Sequence, residues 1–212
     1  MILPLFPLQS VFFPGETVPL HIFEERYKSL ISDCRQHART FGIPVYLNET
    51  ISHGTEVQLK EIVNTYADRS MDVVCVARQV FRVLSFQPRM EGKLYPGGEV
   101  QFLDTLNDAD ASLTEAVIQA CGVLYGLMDL PFGPVRREVF NSFSLAHKMG
   151  LSLQQEFELL CMPGERERLE FLLAHLKQTA TVMEQLNRTR ERIGMNGHFR
   201  NFDPLDFEGL TL

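Results

Sequence analysis

His21 and Glu24 have the residue types and the spacing for acid/base chemistry. A carboxylate three residues from an imidazole can orient the ring for proton transfer. The pair also has a structural interpretation. His21 ends a predicted strand and Glu24 begins a predicted helix, where a carboxylate stabilises free amides and the helix dipole. We favour this structural interpretation, and an enzyme of unrecognised type that uses His21 and Glu24 stays open as an alternative.

The common signatures of nucleotide-driven and hydrolytic enzymes are missing from the sequence. It contains no GxxxxGK[ST] loop to hold phosphates, no GxSxG nucleophile elbow, no HExxH zinc motif and no GxGxxG turn. We therefore expect no catalytic residues, no metal site and no cofactor. Purified protein is expected to hydrolyse neither ATP nor unfolded polypeptide.

The cysteines are spread along the chain, without a CxxC pair or a histidine at ligand spacing. They are Cys34, Cys75, Cys121 and Cys161. This usage predicts small core residues in a reducing compartment. The apolar start has no basic residues and is interrupted by prolines, and no stretch approaches roughly 18 apolar residues. We expect a cytoplasmic protein without a signal peptide.

The charge balance argues against nucleic-acid and membrane partners. The formal net charge is -7 and the isoelectric point is near 5.4. Residues 1–105 carry 10 basic and 12 acidic side chains, and residues 106–212 carry 10 and 15. Phosphate binding needs clustered Lys and Arg, which neither half supplies in excess.

The first half of the chain is predicted to be β-rich, with one helix at Glu24–His37. Phe13-Pro14-Gly15-Glu16 fits a type II turn. The apolar stripe of the helix is Tyr27, Leu30, Ile31 and Cys34. Predicted strands are Ile2–Phe6, Val18–Ile22, Phe41–Leu47, Glu56–Val63, Met71–Ala77, Val80–Phe86 and Val100–Leu103. Such a run of short strands favours a closed or half-closed barrel.

The second half is predicted to be helical, after a polar stretch at residues 107–112. A helix capped by Ser112 and Glu115 ends near Leu130, and its Gly122 and Gly126 are expected to pack closely on a neighbouring helix. A second helix begins at Pro134 and ends at Gly150, a third is capped by Ser152 and Gln155, and the last runs from about Glu165 to Ile193, ended by Gly194. The predicted domains are 1–106, 107–194 and a tail at 195–212.

Three consecutive motifs at the start of the chain resemble one known family. They are Leu3-Pro4-Leu5-Phe6-Pro7-Leu8, then Val11-Phe12-Phe13-Pro14-Gly15, then Pro19-Leu20-His21-Ile22-Phe23-Glu24 with Arg26-Tyr27. Their order and spacing are similar to those of LON substrate-binding domains, the N-terminal, substrate-recognising domains of Lon protease. Looser similarity follows at Gly54-Thr55 and at Val80-Phe81-Arg82-Val83.

The resemblance implies an α+β protein: a PUA-like β-barrel N-terminal module followed by a C-terminal helical bundle, without ATPase or protease domains. It implies binding of unfolded or degron-bearing polypeptides, or their presentation to a separate protease. Candidate peptide-binding residues are Phe23, Glu24, Arg26 and Tyr27. RNA binding, by analogy with PUA domains, is disfavoured by the acidity of the chain.

The tail carries three phenylalanines, Phe199, Phe202 and Phe207, around Pro204. Each can bury a large apolar area. We expect these side chains either to seal the helical region or to dock in an apolar groove in imitation of a bound peptide.

Overall fold

A computed structural model describes residues 1–137 and 140–197, with side chains described up to residue 193. These residues form six strands and five α-helices. One helix lies between the second and third strands, and the other four follow the last strand. The strands are β1 (Ile2–Pro4), β2 (Thr17–Ile22), β3 (Phe41–Leu47), β4 (Thr50–Thr65), β5 (Met71–Gln87) and β6 (Gly97–Phe102). The helices are α1 (Glu25–His37), α2 (Ala111–Leu127), α3 (Ser142–Leu145), α4 (Leu153–Cys161) and α5 (Glu165–Gly197).

The sheet is built around β5, the longest strand. The sheet order is β1-β6-β5-β4-β3, and β2 also pairs with β5. Every pairing between these strands is antiparallel. The predicted α+β class with an antiparallel sheet is therefore confirmed.

The chain that follows β1 lies against β3, the strand at the opposite end of the sheet order. Leu5 forms a parallel bridge with Gly42, and Leu8 forms one with Val45. The Phe6 amide donates to the Gly42 carbonyl at 2.8 Å, and the Tyr46 amide donates to the Leu8 carbonyl at 2.7 Å. These bonds pair backbone groups of β3 with the segment that follows β1.

The predicted turn and the first helix have the expected geometry. Gly15 has φ +91°, and the Glu16 amide donates to the Phe13 carbonyl at 3.2 Å. Only a residue without Cβ adopts this φ freely, so glycine is required there. All four residues of the predicted stripe of α1 are buried in the core beneath the sheet.

The helices α2 to α5 and the β-rich region share one apolar core. The core joins Val11, Phe13, Val45 and Val80 to residues of α2, α3, α4 and α5. The rings of Phe13 and Phe143 stack at 5.2 Å. The helical region therefore covers apolar surface that the β-rich region does not bury by itself.

His147 adds a polar link across this boundary. Its Nδ1 lies 2.7 Å from Oε1 of Glu156 in α4, and its Nε2 lies 3.2 Å from Oε1 of Glu16 in the first turn. Glu16 also accepts from the Phe13 amide at 2.9 Å. The protonated ring thus bridges two carboxylates from the two regions.

Several predicted boundaries are wrong. β5 runs unbroken through Arg78 and Gln79. Helix α2 is capped by Asp110, whose side chain accepts from the Leu113 amide at 2.8 Å, and it ends at Leu127 instead of near Leu130. Residues 131–136 are not helical, and Asn141 caps the short α3 instead.

At the last two helices the predicted signals have mixed outcomes. Ser152 and Gln155 form the predicted capping box of α4. Gly150, at φ +69°, follows the helical turn that ends there. Helix α5 continues past Gly194 to Gly197.

Close helix packing at Gly122 and Gly126 is also wrong. A Cβ built at Gly126 meets nothing within 4 Å, and one at Gly122 meets only a Phe132 ring carbon at 3.7 Å. Neither glycine is needed for space.

The predicted core role of the cysteines is confirmed for Cys34, Cys75 and Cys121, which are buried, while Cys161 is half-buried. Burial raises the pKa of the Cys34 and Cys75 thiols to about 12. The tail phenylalanines lie outside the described residues. No helix in the described part of the chain is both long and apolar enough to cross a membrane.

Candidate functional site

The junction between β2 and α1 carries the candidate peptide-binding residues. β2 ends at Ile22 and α1 begins at Glu25, so Phe23 and Glu24 lie in the connection. The structure separates the four candidates. Phe23 is 64% exposed, Glu24 and Arg26 are partly exposed, and Tyr27 is 5% exposed. Phe23 is therefore available for contact and Tyr27 is a core residue.

Tyr27 packs the first turn of α1 against Phe6, in the segment that follows β1. Its ring centroid lies 3.9 Å from that of Phe6, and the Arg26 guanidinium lies over the Tyr27 ring at 4.5 Å from the centroid. Desolvation raises the pKa of Tyr27. The ring fixes the position of its neighbours without offering a free surface of its own.

Glu24 pairs with Arg26 instead of capping the helix with its side chain. Arg26 Nε donates to Glu24 Oε2 at 2.8 Å. Glu24 is the N-cap residue, but its carboxylate makes no capping hydrogen bond, and its backbone carbonyl accepts from the amides of Tyr27 and Lys28. The expected stabilisation of free amides by this side chain is therefore wrong.

His21 is bound to Asp72 on the neighbouring strand and not to Glu24. His21 Nδ1 lies 2.7 Å from Asp72 Oδ1, and the Tyr66 hydroxyl donates to Asp72 Oδ2 at 2.6 Å. These hydrogen bonds, with that from Tyr66 the stronger cause, hold the pKa of Asp72 below its usual value. Asp72 thus fixes both rings in place.

Three exposed rings stand side by side as a result, and we call Phe23, His21 and Tyr66 the aromatic row. The centroid of His21 lies 6.2 Å from that of Phe23 and 5.9 Å from that of Tyr66. Tyr66 is 45% exposed. A wide hollow of about 420 Å³ adjoins it, lined by His21, Tyr66, Ala67, Asp68 and Ser70. Such rings offer apolar faces and polar edges to a ligand.

Tyr66 and Asp72 were not among the residues predicted from the sequence. They flank the turn between β4 and β5, and Asp72 is paired in register with His21. The polar segment Ala67-Asp68-Arg69-Ser70 signals a turn. Register between distant strands, which decides that Asp72 meets His21, has no local sequence signal.

The arrangement does not assemble a metal site. Among the described residues no group of three or more His, Cys, Asp or Glu side chains could hold a metal ion. The His21–Asp72 pair lies on open surface, where water competes for both groups. Its geometry suits the positioning of rings for contact more than proton transfer in an enclosed site.

Comparisons with known proteins bear on the family and the fold of the chain. A model of the ATP-dependent protease La (LON) substrate-binding domain family matches residues 2–178. The structure is similar to a Lon N-terminal domain protein from Xanthomonas campestris, with TM-score 0.61 and 27% identity over 82% of this chain and 98% of that one. It also shares its fold with the N-terminal domain of a Mycobacterium avium complex Lon protease, at TM-score 0.61 and 16% identity over 84% and 98% of the two chains. No curated protein matches the chain.

Proposed function

This chain belongs to the LON substrate-binding domain family, and from that membership we propose that it is a non-catalytic module that binds unfolded or degron-bearing polypeptide. Family membership supports a role in substrate recognition, because the family is defined by a substrate-binding domain and not by a catalytic one. The finer proposal is that the chain acts as an adaptor, which either holds such segments or presents them to a separate protease in the cytoplasm.

The aromatic row is the observation that carries this proposal. Large apolar side chains are normally buried, and a cluster of exposed rings beside polar groups is typical of an interaction surface. Phe23 and Tyr66 are exposed on both sides of His21, and the Glu24–Arg26 pair stands next to Phe23. We propose that the rings contact apolar side chains of the bound polypeptide, with Arg26 and Glu24 at the rim.

We also propose that the β-rich region, residues 1–106, is a PUA-like barrel and that residues 107–194 form a helical bundle upon it. The bridges of Leu5 and Leu8 to β3 support barrel closure, because they join the two ends of the sheet order. The apolar core that joins α2, α4 and α5 supports the bundle.

An enzyme that uses His21 and Glu24 is disfavoured by the hydrogen bonds of both residues. His21 is held by Asp72, and Glu24 is held by Arg26. A carboxylate orients an imidazole for proton transfer only within hydrogen-bond reach, and Glu24 is not the partner of His21. The His21–Glu24 pair on which this second function depends is therefore not assembled.

Binding of a permanently unfolded polypeptide tests the proposal. Fluorescence anisotropy with labelled, reduced and carboxymethylated α-lactalbumin would give the Kd of the intact chain. We expect Phe23→Ala and Tyr66→Ala each to weaken binding about 5- to 30-fold, as contact residues in aromatic hot spots do.

Leu84→Ala is the matched control. Leu84 is an apolar residue of β5 that is 51% exposed, twelve positions along the strand from Asp72. Its removal is expected to leave the Kd within about twofold. If all three variants are folded and bind with the same Kd as the unsubstituted chain, binding at the aromatic row is refuted. No binding by the intact chain would refute the polypeptide-binding function itself.

A further inference from the structure

One stretch of β4 has a free strand edge. β3 pairs with β4 only along residues 50–57, whereas the rest of β4 pairs with β5 alone. Within the described part of the chain, no strand pairs with residues 58–65 on the side away from β5. Free edges expose unpaired amides and carbonyls that can add another strand.

The free edge forms one wall of a groove whose other wall is the end of α1. The groove has a volume of about 530 Å³, within the roughly 300–1,000 Å³ typical of binding sites. The strand supplies Gln58, Leu59, Lys60, Glu61, Ile62 and Thr65, and the helix side supplies Cys34, Arg35, Ala38 and Arg39. We call this the β4 groove. A strand edge facing a helix is the geometry in which extended peptides are bound by strand addition.

The β4 groove is basic in an acidic protein. Arg35, Arg39 and Lys60 line it, and none of them forms an ion pair with another described residue. Glu61 is the one acidic residue in the lining, while the whole chain has a net charge of -7. Local cations of this kind attract and select anionic groups.

We propose that the β4 groove binds an extended acidic peptide segment, which adds as a strand to residues 58–65 and directs carboxylates to Arg35, Arg39 and Lys60. The inference rests on the proposed function and names its binding mode and ligand class. Thr65 of the groove is followed directly by Tyr66 of the aromatic row. One bound segment can therefore contact the β4 groove with one part of its length and the aromatic row with the next part, in either chain direction.

Charge and backbone geometry distinguish this occupant from two others. A second copy of the chain, paired edge to edge about a two-fold axis, would bring the two sets of cations together, which costs free energy. Single-stranded nucleic acid would match the charge but makes no use of a free strand edge. An acidic peptide satisfies both the cations and the edge.

The test uses the intact protein and a fluorescein-labelled peptide of alternating Glu and Val residues with a terminal Phe, at about 0.15 M salt to screen the net charge of the chain. We expect Arg35→Glu, Arg39→Glu and Lys60→Glu each to weaken its binding at least fivefold. Lys177→Glu on exposed α5 changes the total charge equally and is expected to leave the Kd within twofold.

Two further measurements separate strand addition from charge attraction. The same peptide with every second amide N-methylated keeps its charge but loses strand hydrogen bonds, so it is expected to bind at least tenfold more weakly. Hydrogen exchange should show amides of residues 58–65 protected by the unmodified peptide. Equal affinity of the methylated peptide, or protection elsewhere only, would overturn the inference.

The remaining outcomes are equally decisive. If the peptide and unfolded lactalbumin bind but the groove variants do not change the Kd, the β4 groove is not the peptide site and the polypeptide-binding function stands. If neither binds, the function itself fails. If an oligouridylate of equal charge binds more tightly than the peptide and competes for the same three cations, the groove is a nucleic-acid site and the inference is wrong.

Discussion

At the scale of single residues, the motifs that reveal the family are mostly core. Leu3, Leu5, Phe6, Phe13 and Tyr27 are buried, and Phe23 is the large side chain of these motifs that stands most clearly in solvent. A sequence pattern cannot distinguish the two roles, because both need an aromatic residue at a fixed spacing. Phe23 is exposed because it lies in the connection between β2 and α1, where its side chain is not packed in the apolar core.

Tyr27→Ala is expected to act on stability. The substitution removes a buried ring packed against Phe6, and large-to-small core changes of this kind cost about 3–5 kcal/mol. Tyr27→Phe keeps the ring and is expected to cost less than about 1 kcal/mol. Urea denaturation followed by circular dichroism measures both. A free energy of unfolding unchanged in Tyr27→Ala would show that the ring does not hold α1 in place.

His147 makes the stability pH-dependent. Hydrogen bonding to Glu16, and then to Glu156, raises its pKa from 6.5 to about 9 despite partial desolvation. The stabilisation is fully present below about pH 6.5, provided both carboxylates are ionised, and is lost as the pH rises towards 9. Because the side chain is 40% exposed, we expect the loss to be only about 1 kcal/mol.

His147→Gln supplies the comparison for this prediction. Urea denaturation at pH 6, 7.5 and 9.5 should show the advantage of the natural chain over His147→Gln shrinking as the pH rises. Parallel pH profiles for the two proteins would contradict the bridge between Glu16 and Glu156.

At the scale of elements, local patterns predicted most strands and helices but not where they end. Arg78 and Gln79 resemble a break, yet each side chain has a distant partner. Arg78 binds the Gln58 side chain of β4, and Gln79 donates to the Leu103 carbonyl after β6. Asp110, and not Ser112, caps α2, and its carboxylate also accepts from Ser112 and from Arg166 of α5. Such tertiary partners have no signature in a short window of sequence.

The candidate site also combines residues of a local motif with residues that only long-range strand pairing brings together. Phe23 and Arg26 were found from a motif, because that motif is contiguous. Tyr66 and Asp72 were missed because the register of β2 on β5 brings them to His21. The β4 groove could not be predicted from the sequence either. Whether a strand edge is free depends on which other strands pair with it, and that is known only from the sheet topology.

Gly54 is expected to be irreplaceable in the β3–β4 pair. A Cβ there would lie 2.3 Å from the Cα of Pro44 and 2.4 Å from the carbonyl oxygen of Ile43, both of them backbone atoms. Gly54→Ala should therefore lower the free energy of unfolding by about 2 kcal/mol or more.

Gly126→Ala is expected to act in the opposite direction. The position is helical and open but lies in the last turn of α2, so alanine is expected to raise the free energy of unfolding by at most about 0.5–1 kcal/mol. Thermal melts of both variants test the pair. A destabilised Gly126→Ala would mean that another surface packs on α2.

At the scale of the whole molecule, the shared core joins the two predicted domains. Val11, Phe13, Val45 and Val80 lie in the same cluster as Leu172 and Leu176 of α5. We expect the intact chain to unfold in a single transition, with calorimetric and van't Hoff enthalpies equal. We expect a fragment of residues 1–106 to show no cooperative melt. Two separate transitions in the intact chain would contradict this coupling.

The same core sets an order of events on the ribosome. Phe13 is synthesised early, but its ring stacks on Phe143, and the core that it joins includes Leu169 and Leu176, all of which follow more than a hundred residues later. At roughly 5–20 residues per second, translation from residue 106 to residue 176 takes on the order of 4–14 s. During that interval the β-rich half is complete in sequence but still exposes the apolar residues that the helices will cover. The growing chain is therefore itself an unfolded, apolar polypeptide, of the kind that we propose the completed protein binds.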